Sequence, residues 1–244
     1  MIELIPAIDL YGGACVRLRQ GKFEYKTQYS VDPVNLARQF ERLGVKRLHL
    51  VDLEGARKGT PKNLDVLRKI SENTSLQIDF GGGIREEEDI RNIFLLGAKW
   101  ITIGSVAVNN PALVRKWLGL FGPDRFILAA DSKDEKVPVY GWQRESEISV
   151  FDLIRQYQDM GIEEVMCTDI SRDGMMQGIN PSFYPTMRLK FPGLKLIASG
   201  GISTFEDIKS LQDTGMEGAI IGKAIFEKGL DMGKVMDQLK QQQL

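Results

Sequence analysis

Short, almost wholly apolar runs alternate with longer amphipathic stretches from one end of the chain to the other. The runs fall at 4–8, 47–51, 76–80, 100–103, 126–130, 164–168, 195–198 and 218–221. They are strand-length, rich in Ile, Leu and Val, and lack a polar residue at every second position, which predicts strands covered on both faces. The intervening stretches carry helix punctuation. Asp32 followed by Pro33 predicts an N-cap and first helical residue, and Asn110-Pro111 and Asn180-Pro181 repeat that opening. Gly44, Gly97, Gly161 and Gly215 stand where a helix needs a left-handed last residue before the next strand. The pattern predicts eight βα units on a parallel sheet.

The two halves of the chain resemble each other. Gly82-Gly83-Ile84 recurs 118 residues later as Gly200-Gly201-Ile202, as do Glu88-Asp89-Ile90 in Glu206-Asp207-Ile208, Gly97 in Gly215 and Ile103-Gly104 in Ile221-Gly222. Gly44 and Asp52 match Gly161 and Asp169 at a spacing of 117, and Asp9 matches Asp131 at 122. Eight units built from two similar fours in 244 residues predict an α/β chain forming a single (β/α)8 TIM barrel over 1–244, with halves at about 1–122 and 123–244. An open doubly wound sheet, with fewer strands and a switch point, fits less well.

Composition narrows the partners. Thirty-two Lys and Arg against 33 Asp and Glu leave a formal charge of −1, so no bulk attraction to nucleic acid or membrane is encoded and any anion must be bound locally. No apolar run approaches the roughly 20 residues of a spanning helix. The opening Met1-Ile2-Glu3-Leu4-Ile5-Pro6 has neither a basic nor an apolar leader segment, so a cytoplasmic location is expected. Cys15 and Cys167 are too few for a disulfide framework or zinc site and are expected as free thiols. His49, the single histidine, lies within Leu48-His49-Leu50-Val51 and is expected to be buried and hydrogen-bonded; no metal site is predicted.

In such a barrel chemistry gathers at the C-terminal ends of the strands. There Gly82 and Gly83 pair with Gly104 and Ser105, and Gly200 and Gly201 pair with Gly222 and Lys223. Glycine lets backbone amides approach an anion closely, so each set predicts a phosphate cradle and two sets predict a small substrate with two phosphates. Asp9 and Asp131 end the first and fifth strands and are candidates for paired acid–base catalysis, with a helix or turn cap as the plainer role for either. Asp52 and Asp169 form a second pair, expected to hold loops or substrate hydroxyls. Trp142 offers a face to a flat heterocycle or an ordinary apolar anchor. Arg85 offers a grip on phosphate or carboxamide oxygen, or simply a solvated helix start.

Ile5-Pro6-Ala7-Ile8-Asp9-Leu10, Val16-Arg17-Leu18-Arg19-Gln20-Gly21, Leu48-His49-Leu50-Val51-Asp52-Leu53, Phe80-Gly81-Gly82-Gly83-Ile84-Arg85, Gly141-Trp142-Gln143, Cys167-Thr168-Asp169-Ile170-Ser171-Arg172-Asp173-Gly174 and Ser199-Gly200-Gly201-Ile202 occur in this order. From residue 2 to about residue 230 the chain resembles the histidine-biosynthetic isomerases of phosphoribosylformimino-aminoimidazole carboxamide ribotide. The resemblance implies a half-barrel-duplicated enzyme that converts an aminoaldose to an aminoketose by Amadori rearrangement. It implies Asp9 as proton acceptor at C2 and Asp131 as donor to the ring oxygen. It also implies substrate contacts from Arg19, Asp52, Arg85, Trp142, Thr168, Asp173 and Ser203, and a phosphate contact from Gly178 beside the cradle residues. No cofactor and no obligate protein partner is implied, and a monomer is expected.

Departures from the family pattern exist. Met175 follows Gly174 where Thr is common, Lys223 follows Gly222 where Arg is common, and Ser132 follows Asp131 in a less usual setting. Lysine keeps the charge but loses the bidentate fork. The sister cyclase of the same pathway typically ends its first strand Pro-Cys-Leu-Asp with a lysine close behind; here Ala7 follows Pro6 and the first lysine is Lys22. A second rival is an isomerase that also accepts phosphoribosylanthranilate. A third, a barrel kept only for binding, conflicts with the presence of both Asp9 and Asp131.

Overall fold

A computed structural model describes residues 1–19, 22–139, 144–227 and 229–241. In chain order the strands are β1 (Glu3–Tyr11), β2 (Ala14–Arg19), β3 (Lys22–Gln28), β4 (Arg47–Asp52), β5 (Gln77–Gly81), β6 (Ala98–Ile103), β7 (Phe126–Ser132), β8 (Lys136–Val139), β9 (Arg144–Ser149), β10 (Glu164–Asp169), β11 (Lys195–Ser199) and β12 (Gly218–Ile221). Neighbours run β1, β4, β5, β6, β7, β10, β11, β12, and β12 pairs back onto β1. Every one of these pairings is parallel. Among the described residues this is a closed barrel of eight strands with helices around it, the (β/α)8 architecture that the apolar runs predict. Four barrel strands precede residue 122 and four follow it.

Alternation along each strand decides what faces inward. Ile5, Ala7, Ile127, Met166, Ile197 and Ile220 meet inside the barrel with Trp100 against them, apart from the larger apolar layer between strands and helices. Because side chains alternate with period two, the residues two beyond Ala7 and Met166 and four beyond Ile127 also point inward, at the C-terminal rim. These are Asp9, Thr168 and Asp131. Asp9 and Asp131 stand on β1 and β7, with three barrel strands between them in either direction.

Most helix signals hold. Asp32 caps the helix Pro33–Arg42 by accepting from the Asn35 amide at 2.8 Å, and Asn110 caps Pro111–Phe121 by accepting from Leu113 at 3.2 Å. Gly44, Gly97, Gly161 and Gly215 all have positive φ. Asn180-Pro181 does not open a helix: the helix is Phe183–Lys190, and the Asn180 side chain is drawn to Asp169 instead. Two antiparallel hairpins, β2–β3 and β8–β9, follow β1 and β7 and are not predicted by the run-counting. β2 also folds back antiparallel onto β1 through Gly12-Gly13, whose φ of 59° and 77° suit a two-residue hairpin turn. No helix among the described residues is long and apolar enough to cross a membrane.

Candidate active site

The two glycine cradles have matching backbones. Gly82 and Gly83 have φ of 111° and 82°, and Gly200 and Gly201 have 96° and 83°. Gly104 and Gly222 also agree, at φ −120°, ψ −94° and φ −106°, ψ −96°. Side chains are excluded at the paired positions: a Cβ on Gly82 would stand 2.2 Å from the Asp52 carbonyl oxygen, and one on Gly200 would stand 2.5 Å from that of Asp169. Gly178 packs on the second set, its carbonyl oxygen 2.4 Å from where a Gly201 Cβ would lie.

Between the cradles lies an ion cluster centred on Arg17, which the sequence reading did not select. Its guanidinium donates to Asp9 at 3.1 Å and to both oxygens of Asp173 at 2.8 and 3.0 Å, and lies against Gly222. Burial pushes the Asp9 carboxyl above its ordinary value, Arg17 pulls it back only in part, and Asp173 adds to the rise. A carboxyl held up in this way exchanges protons closer to neutral pH than a solvated one. The two-residue turn at Gly12-Gly13 sets Val16 opposite Asp9, and its neighbour Arg17 reaches the carboxylate. The Arg19 side chain and the whole of Trp142 lie outside the described residues. Asp131 is half-buried on β7, in register with Thr168 on β10, itself buried and in register with Ser199.

Asp52 is turned into the protein. It is fully buried and accepts from the amides of Gly55, Lys62 and Asn63 and the Asn63 side chain, at 2.6–2.9 Å. Of the two roles expected for it, holding loops is the one its oxygens leave room for. Asp169 is its counterpart, accepting from the Ser171 amide and hydroxyl and from Asn180, which stands 117 residues after Asn63. Ser203 is buried, with amide and hydroxyl both donating to Asp207, so it is engaged at the start of the helix Phe205–Asp213. The Arg85 amide donates to Asp89 in the matching place, while its side chain lies beside Gly59. Ser105 is exposed at the rim, and Lys223 donates to the Gly174 carbonyl at 3.0 Å, joining two mouth loops.

Below the rim, β4, β5 and β6 carry a buried polar set. His49 Nδ1 lies 2.5 Å from Asp79, Thr102 donates to the same Asp79 oxygen at 2.8 Å, and Arg47 approaches the other at 3.4 Å. Arg47 also pairs with Glu164 and covers the Trp100 ring at 4.3 Å. The sequence reading expected His49 to be buried and bonded, and it is; Asp79 and Thr102 escaped notice inside apolar runs.

An inward-facing carboxylate pair on opposed strands, between two backbone cradles, is suited to proton transfer on an anionic ligand. Comparison with known proteins identifies the family. The family model described as histidine biosynthesis protein matches residues 3–231. A protein of Parabacteroides distasonis named 1-(5-phosphoribosyl)-5-((5-phosphoribosylamino)methylideneamino) imidazole-4-carboxamide isomerase is 47% identical over 227 residues, 93% of this chain and 95% of its own length. Identically named proteins of Flavobacterium johnsoniae and Bacteroides thetaiotaomicron are 46% and 47% identical, each over 93% of this chain and over 94% and 95% of their own lengths. Matching that family model over residues 3–231 and sharing nearly half its residues with these proteins along almost its whole length, the chain belongs to the histidine biosynthesis protein family.

Proposed function

We propose that the chain is the isomerase its relatives are named for, converting a bis-phosphorylated aminoaldose into the aminoketose by Amadori rearrangement. The observation that carries this reading is the placement of Asp9 and Asp131 on opposed strands with a glycine cradle in each half. The substrate named in the relatives has two phosphoribosyl groups, one for each cradle. Gly82, Gly83, Gly104 and Ser105 would hold one phosphate; Gly178, Gly200, Gly201, Gly222 and Lys223 would hold the other.

Asp131, as the acid, donates to the ring oxygen of the ribosylamine while the C1–O bond breaks and the nitrogen lone pair forms an iminium. Asp9, as the base, removes the C2 proton, and the C–H electron pair becomes a C1–C2 double bond as the iminium collapses to an amine. The resulting enol loses its hydroxyl proton and gains one at C1, leaving the ketone. The iminium is its own electron sink, so the steps as written call for no cofactor. Arg17 steadies Asp9 and Asp173, while Thr168 and Asp173 sit where a reacting ribose would lie. Arg19, Arg85, Trp142 and Ser203 complete the substrate contacts in this reading.

Direct assay of purified protein with the bis-phosphorylated aminoaldose tests it: turnover to the ketose is expected, and absence of turnover would overturn it. Phosphoribosylanthranilate in the same assay is expected to be a poor substrate, and comparable turnover would replace a dedicated isomerase with a bifunctional one. The near-neutral charge supports a reading without nucleic-acid or membrane partners; the protein is taken as a cytoplasmic monomer without an obligate protein partner, its oligomeric state to be checked by its mass in solution.

A further inference from the structure

The twofold repeat supplies a control for every residue in the barrel wall. His49, Asp79 and Thr102 correspond by their spacings of 117, 118 and 118 residues to Met166, Ile197 and Ile220. The strand register keeps the correspondence: His49 pairs with Asp79 across β4 and β5, and Met166 pairs with Ile197 across β10 and β11. At these three positions the second half therefore closes its wall with apolar side chains, and these belong to the interior cluster. Closing the barrel does not require a buried carboxylate, an imidazole and a hydroxyl in the first half. Burying such groups is costly unless each is bonded, and here they are bonded to one another. A polar set that its own duplicate replaces with aliphatics has a use other than packing.

The geometry points to Asp79 as a positioning residue for the isomerisation: by accepting the Nδ1 proton of His49 it fixes the imidazole so that Nε2 is the nitrogen left for Asp9 and the substrate. Three contacts define Asp79. One oxygen takes His49 Nδ1 and the Thr102 hydroxyl, and the other faces Arg47. Burial pushes the Asp79 carboxyl up, but His49 and Arg47 outweigh it and hold the group below its ordinary value. It is thus a carboxylate, an acceptor only, and the proton between it and the ring belongs to the ring. His49 stands on β4 in register with Ala7, one inward position below Asp9, and is near enough to act on the Asp9 carboxyl electrostatically. Fixing the tautomer from the far side of a ring is how a buried carboxylate orients a working histidine. The set also distinguishes the two acidic residues, since Asp9 has His49 beneath it where Asp131 has Met166 in the equivalent place.

This inference rests on the isomerase reading, and the experiment separates the two, because that reading fails if the wild-type protein shows no turnover. The chain has one histidine, so histidine labelled with nitrogen-15 in untagged protein gives a single imidazole spectrum that reports the tautomer directly. Wild type is expected with Nδ1 protonated; Asp79→Asn and, more weakly, Thr102→Val are expected to lose that preference. Asp79→Asn is expected to lower kcat about tenfold or more with KM within about twofold, as a misplaced group does. In a His49→Gln background the same substitution should change kcat little further. An unchanged tautomer in Asp79→Asn, unchanged kcat, or full additivity with His49→Gln would each overturn the proposal. Should Asp79→Asn not fold, Thr102→Val, which leaves the charge in place, carries the same test: an unaltered tautomer and kcat would overturn it.

Discussion

Asp9 is placed where protonation state and fold stability oppose each other. Asp9→Asn and Asp131→Asn should each lower kcat by about 10²–10⁴, the usual range for a lost proton transfer, with KM within about tenfold. Steady-state kinetics of the two variants checks this. Single residues also show what the chain discloses before folding. The glycine pairs and Asp9 with Asp131 are legible because they repeat at fixed spacing. Arg17 is not, because only the folding of β2 back onto β1 brings it to Asp9. Asp79 and Thr102 are hidden because a polar residue inside an apolar run reads as noise until its neighbours are known. The cysteines give a further expectation. Cys15 and Cys167 are buried and unbridged, and burial pushes each thiol up to about 12. Both should resist a thiol reagent in native protein and react on unfolding in urea, as colorimetric titration would show.

At the scale of elements, carboxylates tie the loops to the barrel. Removing Asp52 leaves three amides and the Asn63 side chain without their acceptor, so Asp52→Ala should cost about 3 kcal/mol or more in urea unfolding. Asp169→Ala breaks fewer contacts and should cost less. Glycines differ by place in the same way. Gly82→Ala and Gly200→Ala force a Cβ into a carbonyl oxygen and should impair both folding and activity. Gly119, inside the helix Pro111–Phe121 with nothing within 4 Å of a Cβ, should gain about 0.5–1 kcal/mol as alanine. The eight strands were legible as uninterrupted apolar runs. The hairpins were not: β3 is largely exposed, and nothing in its polarity separates it from a loop.

For the molecule as a whole, the raised Asp9 carboxyl sets a sign. The folded form binds the proton more readily than the unfolded chain, so stability falls as pH climbs from about 3.8, the ordinary value, through the folded one. Above the folded value the deficit is complete. Asp9→Asn should therefore melt higher than wild type at pH 7, by about 2–4 °C for each kcal/mol recovered, and lose that advantage in acid. Asp79 works the opposite way, its depressed carboxyl supporting the fold above about 3.9 and ceasing to as pH drops through its folded value. Thermal melts from pH 3 to 8 on the Asn variants separate the two.

The unequal floor of the barrel has one more consequence. A ligand with two phosphate-bearing arms arriving at a rim whose sides are near copies can seat itself in either of two orientations, related by half a turn. Grips that recognise only the arms cannot tell these apart. With His49 beneath one acid and Met166 beneath the other, only one seating brings the carbon that must lose its proton above an imidazole. In the isomerase reading, the reversed seating would be a dead end that competes with the productive one.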